Sequence, residues 1–311
     1  MTIGPGLGPE RCSTRSLDLR ESMAGTASTV ANWIMLEHPG PWGRDALATS
    51  RFPDDVGRRL RGLAAALGVR IVLIRRHGRL TPGQGVDCYF VHTGPGKPWL
   101  EHARLESAAG LFELDLSPLG RGERPGGGRA EGDPLFLVCT HGRRDPCCSE
   151  KGRPLARALT RAFGDRAWET SHIGGDRFAG NLVCFPHGIY FGRLGPEAGV
   201  SAAQAYRDGR INLPHYRGRS CYGFAVQAAE TFLRNRTGYA GVDDLRLVGT
   251  RRPEHGTVVA TFAVPGGGTH DVAVRREPAD EARRLTCHAA EAVRPPRYAL
   301  VHAGQREAPR P

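Results

Sequence analysis

The pattern of apolar and polar positions divides the first half of the chain into alternating strand and helix signals. Continuous apolar runs at residues 32–40, 69–76 and 86–94 are typical of buried strands. Between the first two runs, residues 53–68 carry apolar side chains at helical spacing and end on a glycine, which predicts a helix. The runs WLEHARL and LFELDL predict two more strands. A β-α-β beginning followed by strands indicates an α/β layer fold.

The second half restarts this alternation after an interruption. Residues 120–134 are rich in Gly, Arg and Pro and predict a linker. A strand then ends at Cys139, and a helix follows with Pro154 near its first turn. A strand over residues 167–173, a hairpin over 181–194 and a short helix complete the segment. This β-α-β-β-β-α order is that of a thioredoxin-like domain, and we interpret the first half as a second, degenerate thioredoxin-like half.

A third section begins near residue 217 and predicts a small α+β unit. Residues 224–238 form an amphipathic helical pattern, and three apolar runs predict strands, the last two joined by PGGG. The predicted segments are a flexible N-terminus at residues 1–20, an N-terminal thioredoxin-like half at 21–119, a linker at 120–134, a thioredoxin-like domain at 135–216, a C-terminal unit at 217–304 and a tail at 305–311.

Composition and charge argue against a disordered, a membrane-spanning and a nucleic-acid-binding protein. Hydrophobic residues make up 40% of the 311 residues, too many for a disordered chain. No run of eighteen apolar residues predicts a membrane span, and no signal peptide is visible, so we expect a cytoplasmic protein. The net charge is +11, but the arginines are scattered rather than gathered in one stripe, which argues against nucleic acid. Such a surface would steer an acidic partner protein.

The chain contains eight cysteines, which in a reducing cytosol are expected to be thiols, metal ligands or catalytic groups. Cys88 and Cys184 lie in apolar strand-like runs, where a free cysteine behaves as a small hydrophobe. Cys12, Cys221 and Cys287 have no partner that the sequence reveals, and we assign them no role.

Four other residues fall where α/β sheets place their sites, beyond the C-terminal ends of strands. Cys139 ends a strand, and Cys148 lies near the start of the next helix, where the helix dipole favours a thiolate. His172 ends the following strand, and Asp176 lies four residues later, across IGG. Thiolates, with histidine as an occasional substitute, hold iron–sulfur clusters. Two pairs of ligands on neighbouring loops suit the two irons of a [2Fe–2S] cluster.

The segments CTHGRRDPCC and SHIGGDRFAGN resemble the sucrase/ferredoxin-like family, which is related to the thioredoxin-like [2Fe–2S] ferredoxins. The resemblance covers residues 136–229 strongly and residues 21–47 more loosely. It implies a [2Fe–2S] cluster bound by two cysteines and an H-x-x-x-H pair of histidines.

The family's ligand pattern falls on three residues of this chain, which are Cys139, Cys148 and His172. Asp176 occupies the position of the second histidine, and a carboxylate is a harder ligand than imidazole. Four outcomes stay open: Asp176 ligates, Cys147 takes the fourth position, His141 or Cys184 swings in, or the site holds zinc or nothing. Adjacent cysteines seldom reach one metal, because successive side chains diverge.

Two functions follow from these residues. The leading one is an electron carrier with a [2Fe–2S] cluster. Three arginines flank the expected cluster, which are Arg143, Arg144 and Arg177. They are solvated loop charges, or they stabilise a negative cluster or dock an acidic redox partner. The alternative is a thiol–disulfide oxidoreductase of thioredoxin-like fold, with Cys147 or Cys148 as a nucleophile of low pKa. A sugar hydrolase would need two carboxylates facing one cleft, and no such pair stands out.

Overall fold

A computed structural model describes residues 11–53, 55–78, 84–253 and 256–306. The described part of the chain is a mixed α/β structure with one large sheet and one small one. Its α-helices are α1 Cys12–Asp18, α2 Val56–Leu67, α3 Ser117–Gly120, α4 Pro146–Phe163, α5 Pro196–Arg207 and α6 Phe224–Thr237. Within these residues, no helix combines the length and the apolar character needed to cross a bilayer.

The large sheet has ten strands and runs continuously through both halves of the sequence. Its strands are β1 Asn32–Glu37, β2 Arg70–Arg75, β3 Val86–His92, β4 Trp99–Leu105, β5 Arg129–Ala130, β6 Leu135–Cys139, β7 Ala167–Thr170, β8 Leu182–Phe185, β9 Ile189–Phe191 and β10 Tyr216–Arg219. They lie in the order β10-β9-β8-β6-β7-β2-β1-β3-β4-β5.

The two halves of this sheet repeat one connection pattern. Strands β1 and β2 are parallel and joined through α2, and β6 and β7 are parallel and joined through α4. In each half, the third strand pairs antiparallel with the first, and the fourth pairs antiparallel with the third. The halves meet where β2 pairs antiparallel with β7. One hydrophobic core therefore crosses the junction and includes Trp33, Val72, Leu137, Trp168 and Phe185.

The C-terminal unit packs helix α6 against a four-stranded antiparallel sheet. Its strands, in spatial and chain order, are β11 Arg246–Arg251, β12 Thr257–Ala263, β13 Thr269–Pro278 and β14 Pro296–Arg306. The PGGG turn between β12 and β13 forms as the sequence predicts, and its three glycines have positive φ angles. The fourth strand, β14, was missing from the prediction.

A buried ion network fastens α6 to the large sheet. The Glu230 carboxylate lies 2.9 Å from Arg234 Nη2 and 3.3 Å from Arg219 Nε, and it accepts a 2.8 Å hydrogen bond from the Tyr216 hydroxyl. Glu230 and Arg234 are fully buried, and Arg219 is nearly so. Because buried charges are tolerated only when paired, these residues act as one unit.

Three local predictions were wrong. The run LFELDL is no strand: Ala108–Glu113 form a 3-10 helix, because the Ser107 side chain caps it by accepting from the Ala109 N–H. Helix α4 begins at Pro146, so Pro154 lies inside it rather than in its first turn. Residues 1–10 of the predicted flexible N-terminus lie outside the described residues, but Cys12–Asp18 form a helix that buries Cys12, Ser13 and Ser16.

Candidate metal centre

Two cysteines approach each other across the loop between β6 and α4. Strand β6 ends at Cys139, and α4 begins at Pro146 because the Asp145 carboxylate caps it by accepting from the Cys147 N–H at 2.9 Å. This start places Cys148 in the first turn, over the end of the strand. Both thiols are buried, and the sulfur atoms lie within 4.8 Å of each other and of a ring nitrogen of His172.

The loop after β7 brings His172 and Asp176 to the same place. The Asp176 Oδ1 lies 3.1 Å from the Cys148 Sγ and 3.0 Å from the His172 Nδ1. Between them, Gly174 and Gly175 have φ angles of +92° and +78°, which L side chains rarely adopt. The two glycines therefore let the loop turn back, so that a residue four positions after the histidine faces the same thiol.

A second histidine, His141, holds the backbone of this loop in place. His141 is buried, and its Nδ1 accepts the His172 backbone N–H at 3.1 Å. Its Nε2 donates to the Gly43 carbonyl at 2.6 Å. A ring in which one nitrogen accepts and the other donates is neutral. Burial lowers the pKa of His141 and so favours that neutral form. Both ring nitrogens are occupied, so His141 positions the loop and is not free to act as a ligand.

A buried arginine lies on the other side of the loop. Arg217 Nη1 donates to the Asn181 Oδ1 at 2.7 Å and to the Gly174 carbonyl at 3.3 Å, while Nη2 donates to the Thr26 carbonyl at 2.5 Å. Burial lowers the pKa of Arg217 to about 10, and the nearby Asp176 is among the groups that oppose this. Arg217 thus places a buried positive charge close to the candidate ligands.

The titratable groups of the site shift one another strongly. Burial lowers the pKa of His172, but interactions with Asp176 and Cys139 outweigh it and raise the value to about 9. The hydrogen bond from Cys148 lowers the pKa of Cys139, and the same pairing raises that of Cys148. Burial alone would raise the pKa of Asp176, but the interaction with His172 outweighs burial, so the pKa of Asp176 is lowered. The metal-free site therefore favours an imidazolium between two anions.

One atom of the site lacks a good hydrogen bond. The His172 Nδ1 is buried, and although Asp176 Oδ1 lies 3.0 Å away, the angles do not meet hydrogen-bond geometry. Buried polar atoms in native proteins almost always have a partner. The His172 ring lies beside two thiols, and its nitrogen without a good hydrogen bond is suited to binding a metal once it has lost its proton.

The other residues named from the sequence lie elsewhere. Cys147 does not join this site: its Sγ lies 3.6 Å from that of Cys12 and 3.4 Å from that of Cys287. The two adjacent cysteines diverge because consecutive helical residues point about 100° apart. Cys184 packs in the core on the opposite face of the sheet, with Phe136.

The three flanking arginines have different surroundings. Arg143 and Arg144 are exposed on the loop before α4, and the positive charge of Arg144 contributes to lowering the pKa of Asp176, after the effects of His172 and Cys148. Arg177 pairs instead with Glu21, with its Nε 2.9 Å from a carboxylate oxygen.

Sequence reasoning did not predict that Cys12 and Cys287 lie beside Cys147, or that Arg217 is buried near the site. Cys12 and Cys287 are 275 positions apart, so no local spacing relates them. Arg217 stands in HYRGRS, which has the appearance of a polar strand end. Its burial depends on the loops that surround it in space.

Two curated fungal proteins are similar to part of this chain. A fungal protein from Debaryomyces hansenii, named altered inheritance of mitochondria protein 32, is 34% identical over 99 residues, which are 28% of this chain and 36% of that protein. A protein of the same name from Meyerozyma guilliermondii is 33% identical over 75 residues, 21% of this chain and 27% of the relative. The matches thus span about a third of these relatives or less. No solved structure gives a significant match.

The family comparison covers most of the large sheet. The profile described as sucrase/ferredoxin-like matches residues 23–218, which include strands β1 to β9, all of β10 except Arg219, and both loops of the candidate site. By this match the chain belongs to the sucrase/ferredoxin-like family.

Proposed function

We propose that this protein is an electron carrier with one [2Fe–2S] cluster, held by Cys139, Cys148, His172 and Asp176. The observation that carries the proposal is the convergence of two buried thiols and an imidazole, with ligand atoms within 4.8 Å of one another. Asp176 contacts one thiol and the imidazole, and it stands where the family resemblance expects the second histidine. Cys147 is excluded from the proposed ligand set because it faces the other cysteine group.

The chemistry of these side chains fits the cluster. Thiolates with histidine partners are known ligands of [2Fe–2S] centres, and the pKa of Cys139 is already lowered by its contact with Cys148. The buried His172 Nδ1, which lacks a hydrogen bond of good geometry, gains a partner when a metal binds. The repeated strand order, in which each half has its strands in the order second, first, third, fourth, supports the thioredoxin-like ferredoxin relationship as part of this proposal.

The bound cluster would supply a one-electron redox centre; the protein residues set its surroundings. Cys139, Cys148 and Asp176 are buried and exclude water from the site. Arg217 provides a buried positive charge that offsets the added negative charge of the reduced state. The His172 side chain is 23% exposed, the most of the four proposed ligands, so we expect electrons to leave on its side.

The surface beside the site fits an acidic redox partner. Arg143 and Arg144 are exposed on the loop that leads from Cys139 into α4. Charges around the rim of an interface act mainly on the association rate. Replacing both with Glu should slow electron transfer to an acidic acceptor at low salt, and the difference should fade at high salt.

The test is the metal and sulfide content of anaerobically purified protein, with electron paramagnetic resonance after dithionite reduction. We expect two irons and two acid-labile sulfides per chain, as a [2Fe–2S] centre requires by definition. Cys148→Ser should lose most of the iron, whereas Cys147→Ser should keep it. The compact spacing of the ligand atoms also suits a single zinc ion. Stoichiometric zinc without sulfide after anaerobic reconstitution with iron and sulfide, if the variant Cys139→Ser/Cys148→Ser loses that zinc, would replace the cluster proposal with that one.

The thiol–disulfide alternative has less support from the geometry. Cys147 and Cys148 face different groups of residues and are both buried, so neither is open to a protein disulfide. The pKa of Cys147 is lowered to about 6, chiefly by its contact with Cys12, but a buried thiolate of this kind is better suited to a metal than to an exchange partner.

A further inference from the structure

Three cysteines form a second compact group behind the start of α4. Cys147 comes from the helix itself, Cys12 from helix α1, and Cys287 from the segment between β13 and β14. Their sulfur atoms form a triangle with sides of 3.4, 3.6 and 3.6 Å. Cys12 and Cys147 are buried, and Cys287 is partly exposed. Nothing in the proposed electron-transfer site uses these residues.

The dimensions of the triangle match a single thiophilic ion. Zinc binds thiolates at about 2.3 Å in tetrahedral geometry, so two sulfurs bound to one zinc lie about 3.8 Å apart. All three measured separations are within a few tenths of an ångström of that value. A disulfide needs about 2.05 Å between sulfurs, and it would leave the third thiol of the group without a role.

A buried carboxylate completes the group. Asp145 is fully buried, and its two oxygens lie 3.8 and 3.9 Å from the Cys12 Sγ. One oxygen accepts the Cys147 N–H at 2.9 Å and the other accepts the Cys287 N–H at 2.6 Å. An ionised carboxylate has about four lone-pair positions, so two remain free. Asp145 therefore both orients two of the cysteines and can supply a fourth ligand.

We propose that Cys12, Cys147, Cys287 and Asp145 bind one zinc ion. Neutral thiols packed at this distance gain little from one another, whereas thiolates would repel without a cation between them. The ion removes that repulsion and ties together three segments that are 135 to 275 positions apart. It thus clamps the N-terminal helix and the C-terminal unit onto the helix that carries Cys148. The zinc site and the iron site share this one helix start.

The experiment measures zinc in the full chain, purified without chelators under anaerobic, reducing conditions. The wild type should hold about one zinc per chain in addition to any iron. Cys12→Ala and Cys287→Ala should each lose the zinc. Cys287→His, which offers another zinc ligand, should keep it, and Cys221→Ser is the matched control because that thiol lies outside both groups. Circular dichroism of each variant reports whether it has folded.

Two further measurements separate this site from the first. The double variant Cys139→Ser/Cys148→Ser should lose iron and still take up one zinc; if it loses the zinc as well, the ion belonged to the other site and the proposal is overturned. Cobalt(II) in place of zinc should give the thiolate charge-transfer and tetrahedral ligand-field bands. Their absence in wild-type protein, or a disulfide among these three cysteines in anaerobic protein, also overturns it.

Discussion

The protonation of His172 in the metal-free protein provides a quantitative test of the site's electrostatics. The perturbation is Asp176→Asn, which keeps the shape of the side chain and removes its charge. Asp176 Oδ1 lies 3.0 Å from the His172 Nδ1, and interaction with it is the largest effect that raises the histidine pKa. In the variant, burial is opposed only by the effect of Cys139, so we expect the pKa of His172 to fall well below its wild-type value.

The magnitude follows from the wild-type pKa of His172, which is raised from 6.5 to about 9. Each pKa unit corresponds to about 1.4 kcal/mol, so the charged imidazole stabilises the folded, metal-free protein by about 3 kcal/mol. Because the folded-state pKa is the higher one, this stability is fully present below pH 6.5. It is lost as the pH rises through about 9. Most of the difference between wild type and variant should therefore disappear across that window.

Two measurements check this expectation on anaerobic, metal-free protein. Proton–nitrogen NMR of the imidazole gives the pKa of His172 directly in both proteins. Urea unfolding at several pH values from 6 to 9.5 gives the stability difference. Asp165→Asn is the control, because that carboxylate is 87% exposed and its substitution should change neither quantity. A wild-type His172 that titrates near 6.5, or a stability difference that does not change with pH, would refute the assigned interaction.

The same protonation affects metal binding. A ligating imidazole must give up its proton, so a metal that binds through His172 releases a proton at neutral pH. Apparent metal affinity should rise with pH through about 9 as His172 loses its proton, and it should rise further because the Cys148 thiol, whose pKa is raised, must also be deprotonated. In Asp176→Asn the part of this pH dependence that belongs to His172 should move to a lower pH, whether or not the variant binds the metal less tightly.

Three other predictions concern the supporting structure and the redox centre. Glu230→Gln leaves two buried guanidinium groups without their carboxylate and should cost about 3–5 kcal/mol in urea unfolding; a loss under about 1 kcal/mol would contradict the paired-charge interpretation. Gly175→Ala places a Cβ 2.2 Å from the Arg217 Nη2 at a φ of +78°, so it should cost about 2–4 kcal/mol and lower the iron content. In the loaded protein, the reduction potential should fall by at most about 59 mV per pH unit where His172 titrates; a slope that persists in His172→Cys would show that another group carries the proton.

The chain order of the elements could be predicted from local patterns, but the structure of residues 108–116 could not. Helix α2 and strands β1 to β4 follow their apolar spacing closely, and Gly68 ends the helix with a φ of +63°. The run LFELDL predicts a strand from its apolar residues, but Leu111–Glu113 belong to the 3-10 helix Ala108–Glu113. A side-chain cap decided that segment, and caps of this kind are weak signals in a single sequence.

The sequence by itself determined the alternation of strands and helices, and it indicated that Cys139, His172 and Asp176 lie close together with a cysteine of the pair Cys147–Cys148. It could do so because they lie at the ends of consecutive elements, and parallel connections bring such ends together. Only the tertiary structure decided which of two adjacent cysteines faces that site. It also united Cys12 and Cys287 with Cys147. Side-chain direction on a helix depends on where the helix begins, and contacts between distant segments depend on packing, so neither is encoded in spacing along the chain.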